Sequence, residues 1–392
     1  MNVETAQVRH RPGRKGNMKA KLTSISLSGF KTFRELKDFE LRPINVLIGA
    51  NGGGKSNFLS FFRMLSKIVD AGIGLQRHVI MNGGANTFLH DGSKTTNAIR
   101  VSLRFKTEKG AGEYAFELLW RVTDSLFFTE ESHRFTPFGE EERPWQSFGA
   151  THEETLLGSQ MRSLSFDGTA ELWKTLTESV IYHFEDTSDR SPLRLTCNKD
   201  DCRYFYEDGG NLPAFLRRLR ESDDETERFA FARIEDVIRL LVPSFARFVL
   251  EPEGSSLILR WREEGSDRDF NASQAPDGML RLTALVTLLS QPDTILPSIL
   301  IIDEPELGLH PTAIAFVAGL MRGVSKVSQL IVATQSPELV DEFEPEDIVV
   351  VQRKRRESLL ERKSKEELKV WMDEYSLGDL WRKNVLGGGP FA

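Results

Sequence analysis

The octet GANGGGKS, Gly49 to Ser56, constrains this chain more than any other stretch, because it matches the spacing G-x-x-x-x-G-K-[ST]. It follows a mostly apolar run, Ile44 to Ile48, bounded by Pro43 and Gly49, and such a run predicts a buried strand. After it, Phe58, Phe61, Phe62, Leu65 and Ile68 recur at helical spacing. A strand, a glycine turn and a helix in that order form a phosphate cradle. Gly52, Gly53 and Gly54 let successive backbone N–H groups turn inward without Cβ clashes, and the helix N-terminus adds partial positive charge. Lys55 is expected to reach the β- and γ-phosphates of a nucleotide, and the Ser56 hydroxyl to ligate Mg²⁺. Asn51 and Asn57 flank the turn and complete the expected contact set.

A phosphate cradle of this kind needs a second element, an apolar strand ending in a carboxylate. SILIID, Ser298 to Asp303, supplies it. Asp303 is the expected Mg²⁺ partner and Glu304 the expected base for an attacking water. Strand neighbours alternate, so the two side chains are expected on different faces. Elsewhere LTSISLSGF (Leu22 to Phe30) alternates like a strand, and AIRVSLRFKTE and GEYAFELLWRVT resemble an antiparallel pair. Asn211 to Phe245 is the most helix-rich stretch, and ARFVLEPEGSSLILRWREEGSD after it resembles a hairpin. GMLRLTALVTLLSQP and PTAIAFVAGLMRGV predict helices, the first opened near Pro276; QLIVATQSP and EDIVVVQRK predict strands. Between Ser159 and Tyr182 the pattern is mixed. Helices alternating with apolar strands at both ends predict a mostly parallel α/β sheet, with a helix-rich insertion between.

Charge and cysteine content exclude several classes. The net charge of -7 gives no global basic footprint for nucleic acid. The local exception is Arg9, Arg11, Arg14, Lys15, Lys19 and Lys21, interrupted by Pro12, Gly13 and Gly16. This segment has the character of a mobile basic tail able to touch DNA phosphates; Met18 offers an alternative start that would leave it without a role. No apolar run approaches the roughly 20 residues of a membrane span, and no secretory signal is recognisable. A cytoplasmic location without a membrane partner is therefore expected. Cys197 and Cys202 in CNKDDC lack further zinc ligands nearby and are expected to be reduced loop thiols.

Together GANGGGKSN, DGML, LIIDEPELGLHP and VATQSP resemble the ABC-type ATPase heads of the RecF, SMC and OLD branch. The closer resemblance is to stand-alone bacterial ATPases of that branch, which carry segments like YHFEDTS (182–188), DGGNLPAFLRRL (208–219) and YSLGDLWRKNVLGG (375–388). It extends from about Lys21 onward. It implies an α/β P-loop NTPase of the ABC-ATPase head type, with a mostly parallel core sheet, an antiparallel β subdomain and an inserted helical lobe. Residues 21–190 and 270–392 would form the head, 191–269 the lobe and 1–20 the basic tail.

The resemblance also implies ATP and Mg²⁺ as cofactors, and a homodimer in which each nucleotide lies between one P-loop and the partner's signature motif. In QAPDGMLRL, Asp277 and Gly278 align with the tail of that motif, whereas Pro276 occupies its serine position. Proline can open a helix but supplies no hydroxyl. Gln335 in ATQSP stands where many of these ATPases carry histidine; its amide can donate to a γ-phosphate but does not titrate. Glu306 and His310 fall in the loop that in this family lies between two heads, and IYHFEDTS is the expected loop leading across to the lobe.

Three function classes follow. The first is a Mg²⁺-dependent ATP hydrolase with ATP-gated dimerisation, a switch in DNA repair or anti-phage defence. The second is an ATP-binding sensor with little or no turnover that regulates a partner effector, for which Pro276 speaks and the retained Glu304 speaks against. The third is a transporter ATPase subunit, against which stand EPELGLHP, Gln335 and Pro276. DNA and a separate effector or nuclease protein are the candidate partners, since no nuclease-like acid cluster follows the switch strand.

Overall fold

The structure is a computed structural model that describes residues 20–70, 73–158 and 167–389. The basic residues Arg9 to Lys19 lie outside the described residues. The described chain opens with the antiparallel strands β1 (Lys21–Phe30) and β2 (Phe33–Glu40), then enters the wholly buried β3 (Ile44–Ile48). The glycine turn delivers it to α1 (Lys55–Ile68), followed by α2 (Gly74–Met81). Strands β4 (Ala98–Lys106), β5 (Gly110–Arg121), β6 (Ser125–Pro137) and β7 (Gln146–Gly149) complete an antiparallel sheet of order β2-β1-β4-β5-β6-β7. The expected pairing of AIRVSLRFK with GAGEYAFELLWR is that of β4 with β5. Helix α3 (Asp167–Thr177) and strand β8 (Ser179–Tyr182) follow.

The insertion comes next: β9 (Cys197–Asn198), α4 (Leu212–Glu221), α5 (Glu225–Leu241), β10 (Phe245–Val249), β11 (Ser256–Leu257), β12 (Arg260–Glu263) and β13 (Asp269–Asn271). Its helices are accompanied by small sheets, β10-β12-β13 and β9-β11, so it is a mixed rather than helical element. Cys197 and Cys202 here are free and partly exposed. The chain returns through α6 (Asp277–Leu289), β14 (Ile299–Asp303), α7 (Pro311–Val324), β15 (Gln329–Thr334) and α8 (Pro337–Val340). It then forms β16 (Ile348–Lys354), β17 (Glu357–Arg362), α9 (Lys365–Met372) and α10 (Leu377–Arg382).

The core sheet has the order β17-β16-β3-β15-β14-β8, parallel throughout except for the edge strand β17. Both faces are covered, as a parallel sheet requires. On one face Val46, Ile48, Leu300, Ile302, Leu330 and Val332 join a core with α6 and α7 that continues into the insertion through Phe215, Phe245 and Trp261. On the other, Leu47, Ile299, Ile301, Ile331 and Ala333 join α1 and the antiparallel sheet. There Phe58 stacks edge-on against Phe33, Phe39 and Phe62, with ring centres 5.4 to 6.0 Å apart. The helix after the glycine turn is therefore bolted down by aromatic burial, which fixes the direction of its N-terminus.

Candidate nucleotide site

The register of the core sheet determines which loops meet. Ile48 pairs with Thr334, and Ala333 pairs with Asp303, so β3, β15 and β14 end in one row. Gly49, Gln335 and Glu304 are the next residues of the three strands. The glycine-turn strand and the carboxylate strand are not neighbours; β15 runs between them. The outlets lie beyond the carboxyl ends of parallel strands, where ligands bind in open α/β sheets.

Two of the three glycines of the turn are left-handed, while the Gly53 N–H donates to Ala50 O at 3.0 Å. Gly52 and Gly54 have φ of 78° and 118°, values that favour glycine. A Cβ on Gly54 would fall 2.1 Å from Ser358 Oγ. Ser358 Oγ donates to Gly53 O at 2.7 Å and shares a hydrogen bond with the Thr32 hydroxyl at 2.8 Å, which ties the turn to β17 and to the β1–β2 turn. Asn57 is engaged in the same tie: its Nδ2 donates to Thr32 Oγ1 at 3.0 Å. Asn51, Gly52 and Ser56 are exposed, whereas Gly53 and Gly54 are buried.

Lys55 is buried, and its ammonium donates to Gly49 O at 2.5 Å and Ala50 O at 3.4 Å. Burial lowers its pKa, while Glu304, Asp303 and Glu306 act against that shift, Glu304 most strongly. Asp303 is pushed up to about 6, first by burial, then by the charges of Glu185 and Glu304, with Lys55 and Arg63 opposing. Lys55, Asp303, Glu304 and Glu185 thus share one electrostatic space. Glu185 follows β8, whose Tyr182 pairs with Ile302, so the HFEDTS loop enters the site beside Asp303.

Two expectations about the acids are corrected. Glu304 does not continue the alternation of β14, because its φ is 47° and the strand ends at Asp303. The left-handed turn rotates it out of the strand, and its Oε1 accepts from Gln335 Nε2 at 2.5 Å. Glu306 is not a loop residue displayed to a second head. It is buried, and its Oε1 accepts from Thr334 Oγ1 at 2.6 Å and from the Gln335 N–H at 3.0 Å. Burial holds its pKa above the usual carboxylate range. Glu306 therefore braces the backbone that carries Gln335. His310, in the same loop, is the N-cap of α7, where its ring nitrogen accepts from the Thr312 N–H at 3.3 Å.

Asp277 and Gly278 lie at the start of α6, away from the P-loop in their bonding. Pro276 is the N-cap rather than the first helical residue, and its carbonyl accepts from Met279 and Leu280. Asp277 Oδ1 accepts from Arg194 Nη2 at 2.7 Å, and a Cβ on Gly278 would lie 2.6 Å from Gly308 O. Arg281 of the same helix donates to Phe184 O, Glu185 O and Thr187 Oγ1. Sequence reasoning singled out neither Arg194 nor Arg281, since single arginines in helical stretches carry no pattern.

Among the described residues no group of three or more His, Cys, Asp or Glu side chains is arranged to hold a metal. Mg²⁺ at nucleotide sites keeps several waters and takes one or two carboxylates plus phosphate oxygens. Ser56 at the helix start and the charge-crowded Asp303 fit that demand.

The family model described as "AAA domain, putative AbiEii toxin, Type IV TA system" matches residues 44–341. The chain belongs to this AAA-domain family. The matched region runs from the first residue of β3 to just beyond α8, and so contains every strand outlet described above. No curated protein matches in sequence. Among solved structures, a crystal structure of the SmcHead bound to the C-winged helix domain of ScpA superposes with a TM-score of 0.55 at 15% identity, covering 88% of this chain and 99% of that one. The Smc head domain with an extended coiled coil, bound to the C-terminal domain of ScpA from Pyrococcus furiosus, superposes with a TM-score of 0.54 at 14% identity, covering 91% and 99%. This AAA-domain protein therefore has the fold of an SMC-type head. Among its described residues no helix is long and apolar enough to cross a membrane.

Proposed function

We propose that this chain hydrolyses ATP with Mg²⁺ and that two copies close head to tail over the nucleotide. The observation that carries the reading is the meeting of Lys55, Asp303 and Glu304 at the ends of β3 and β14, with Gln335 at the end of the strand between them. The amides of Asn51 to Gly54 and the N-terminus of α1 receive the phosphates. Lys55 is already drawn to the mouth of the loop by Gly49 O and Ala50 O, and it transfers its ammonium to the β- and γ-phosphates on binding. Ser56 and Asp303 would hold Mg²⁺, which would supply positive charge against the phosphates. Glu304 takes the proton of the attacking water, and Gln335 holds the carboxylate in place and offers its amide to the γ-phosphate. Asp277 and Gly278 are presented to the nucleotide of the partner copy.

The role we propose for this chain is a switch in anti-phage defence or DNA repair, with DNA or a separate effector or nuclease as partner; the family's description names a putative toxin of a Type IV TA system. A sensor with little turnover is the second reading. It is favoured by Pro276, which offers no hydroxyl, and by the engagement of Asp277 with Arg194. Turnover separates the two. Lys55→Ala should abolish ATP binding. Glu304→Gln should bind ATP within about threefold of the parent and lose at least about 100-fold in kcat, the usual worth of a positioned base. Equal turnover by Glu304→Gln and the parent would reject the hydrolase reading.

A further inference from the structure

The glycines that follow α10 belong to none of the roles above, yet they lie against the phosphate loop. The Ala50 N–H donates to Gly388 O at 2.7 Å. Ala50 O in turn accepts from the Gly53 N–H at 3.0 Å and from Lys55 Nζ at 3.4 Å. The Ala50 N–H and Gly49 O belong to one peptide group, and Gly49 O accepts from Lys55 Nζ at 2.5 Å, so one peptide joins the C-terminal segment to the lysine. Gly388 has φ of 70°, and a Cβ there would fall 2.8 Å from Val350 Cγ1, 3.3 Å from Val351 O and 3.5 Å from Gly49 Cα. Only glycine brings its carbonyl this close to Ala50.

The segment is held at both ends. Asn384, at φ 57°, accepts from the Gly389 N–H with Oδ1 at 2.9 Å and from the Gly387 N–H with its carbonyl at 3.3 Å. Leu386 is 1% exposed and anchors the middle. Helix α10 is fastened to α8, directly after Gln335: the Gly378 N–H donates to Asp341 Oδ1 at 2.6 Å and Arg382 donates to Glu338 Oε1 at 2.6 Å. The chain therefore runs from behind the switch glutamine to the outer side of the phosphate loop.

We propose that Leu386–Gly389 is a strap that positions the phosphate loop, with Gly388 and Asn384 as its positioning residues. By occupying the Ala50 N–H it fixes the Gly49–Ala50 peptide, and with it Gly49 O, the resting place of Lys55. The strap sets ATP affinity rather than the chemical step. This rests on the nucleotide-site reading above, and the test separates the two.

Fluorescent ATP binding and ATP turnover are measured on the full chain, on Gly388→Ala, on Asn384→Leu and Asn384→Asp, and on a chain ending after Leu386, with Lys55→Ala as the control. Melting without nucleotide is followed in parallel. Gly388→Ala and Asn384→Leu should melt within about 4 °C of the parent and weaken ATP binding about tenfold, the scale of one hydrogen bond and lost preorganisation. Their kcat at saturating ATP should change less than about threefold, so the effect appears in KM. Asn384→Asp keeps the acceptor for Gly389 and should recover the affinity lost in Asn384→Leu. The shortened chain should match Gly388→Ala; if it fails to fold, the two point variants decide. Parental affinity in both, with Lys55→Ala blind to ATP, overturns the strap and leaves the nucleotide site standing. No ATP binding by the parent overturns both.

Discussion

Glu304 meets Gln335 only because it has left its strand. An alternating residue after Asp303 would point to the opposite face; a left-handed φ of 47° turns it toward Gln335 and Lys55 instead. A non-glycine residue in that region costs of order 1 kcal/mol or more, a cost that clusters at functional sites. Glu306, two positions on, has the opposite character. It is buried and satisfied on one oxygen by Thr334 and Gln335, while Oε2 has no hydrogen-bond partner. Glu306→Ala leaves the buried Thr334 hydroxyl without its acceptor and should lower unfolding free energy by about 1–3 kcal/mol, read by urea titration. It should also lower kcat, because the amide opposite Glu304 loses its brace. Glu306→Gln keeps the acceptor and should lie close to the parent in both. Of the three acids in DEPEL, the positions of Asp303 and Glu304 were legible, since an apolar strand ending in acids after a P-loop has few other uses. The burial of Glu306 was not, because an acid past a strand end ordinarily stays in water and nothing local marks its partners, 28 and 29 residues away.

At the level of elements, β3, α1, β14 and β15 were readable because their periods are clean: five buried residues in a row for β3, and phenylalanines at helical spacing for α1. Strand β2 was hidden by its own pattern. Phe33, Leu36 and Phe39 are buried at a spacing of three, which imitates a helix; the register of pairing with β1 shifts between Leu36 and Phe39. Strand β17 is a polar edge, yet it carries Ser358, the tie to Gly53. Helix α2 holds a testable electrostatic feature. His78 is buried against Phe88, and burial, with Lys67, Arg63 and Lys31 nearby, lowers its pKa to about 4. Its folded pKa lies below the unfolded value, so the unfolded chain binds the proton first. Stability should fall as pH drops from about 6.5 toward about 4. His78→Phe should flatten that part of a stability-against-pH curve measured by urea unfolding; an unchanged slope would remove His78 as its source.

Across the whole molecule, each half of the proposed site has its own support. The P-loop, Asp303, Glu304 and Gln335 converge within one chain, whereas Asp277 and Gly278 are held by Arg194 and Gly308 and make their contacts elsewhere. Arg281 links the helix that carries them to the loop of Glu185, which faces Asp303. The glycine turn and the acid-ended strand could be read from the sequence, but the strand that runs between them follows from a sheet order that no local pattern reveals. The most direct test is the solution mass of Glu304→Gln with and without saturating ATP and Mg²⁺. The account predicts the 44.4 kDa monomer without nucleotide and twice that mass with ATP, reverting with ADP. A mass that stays at 44.4 kDa while ATP is demonstrably bound would contradict it.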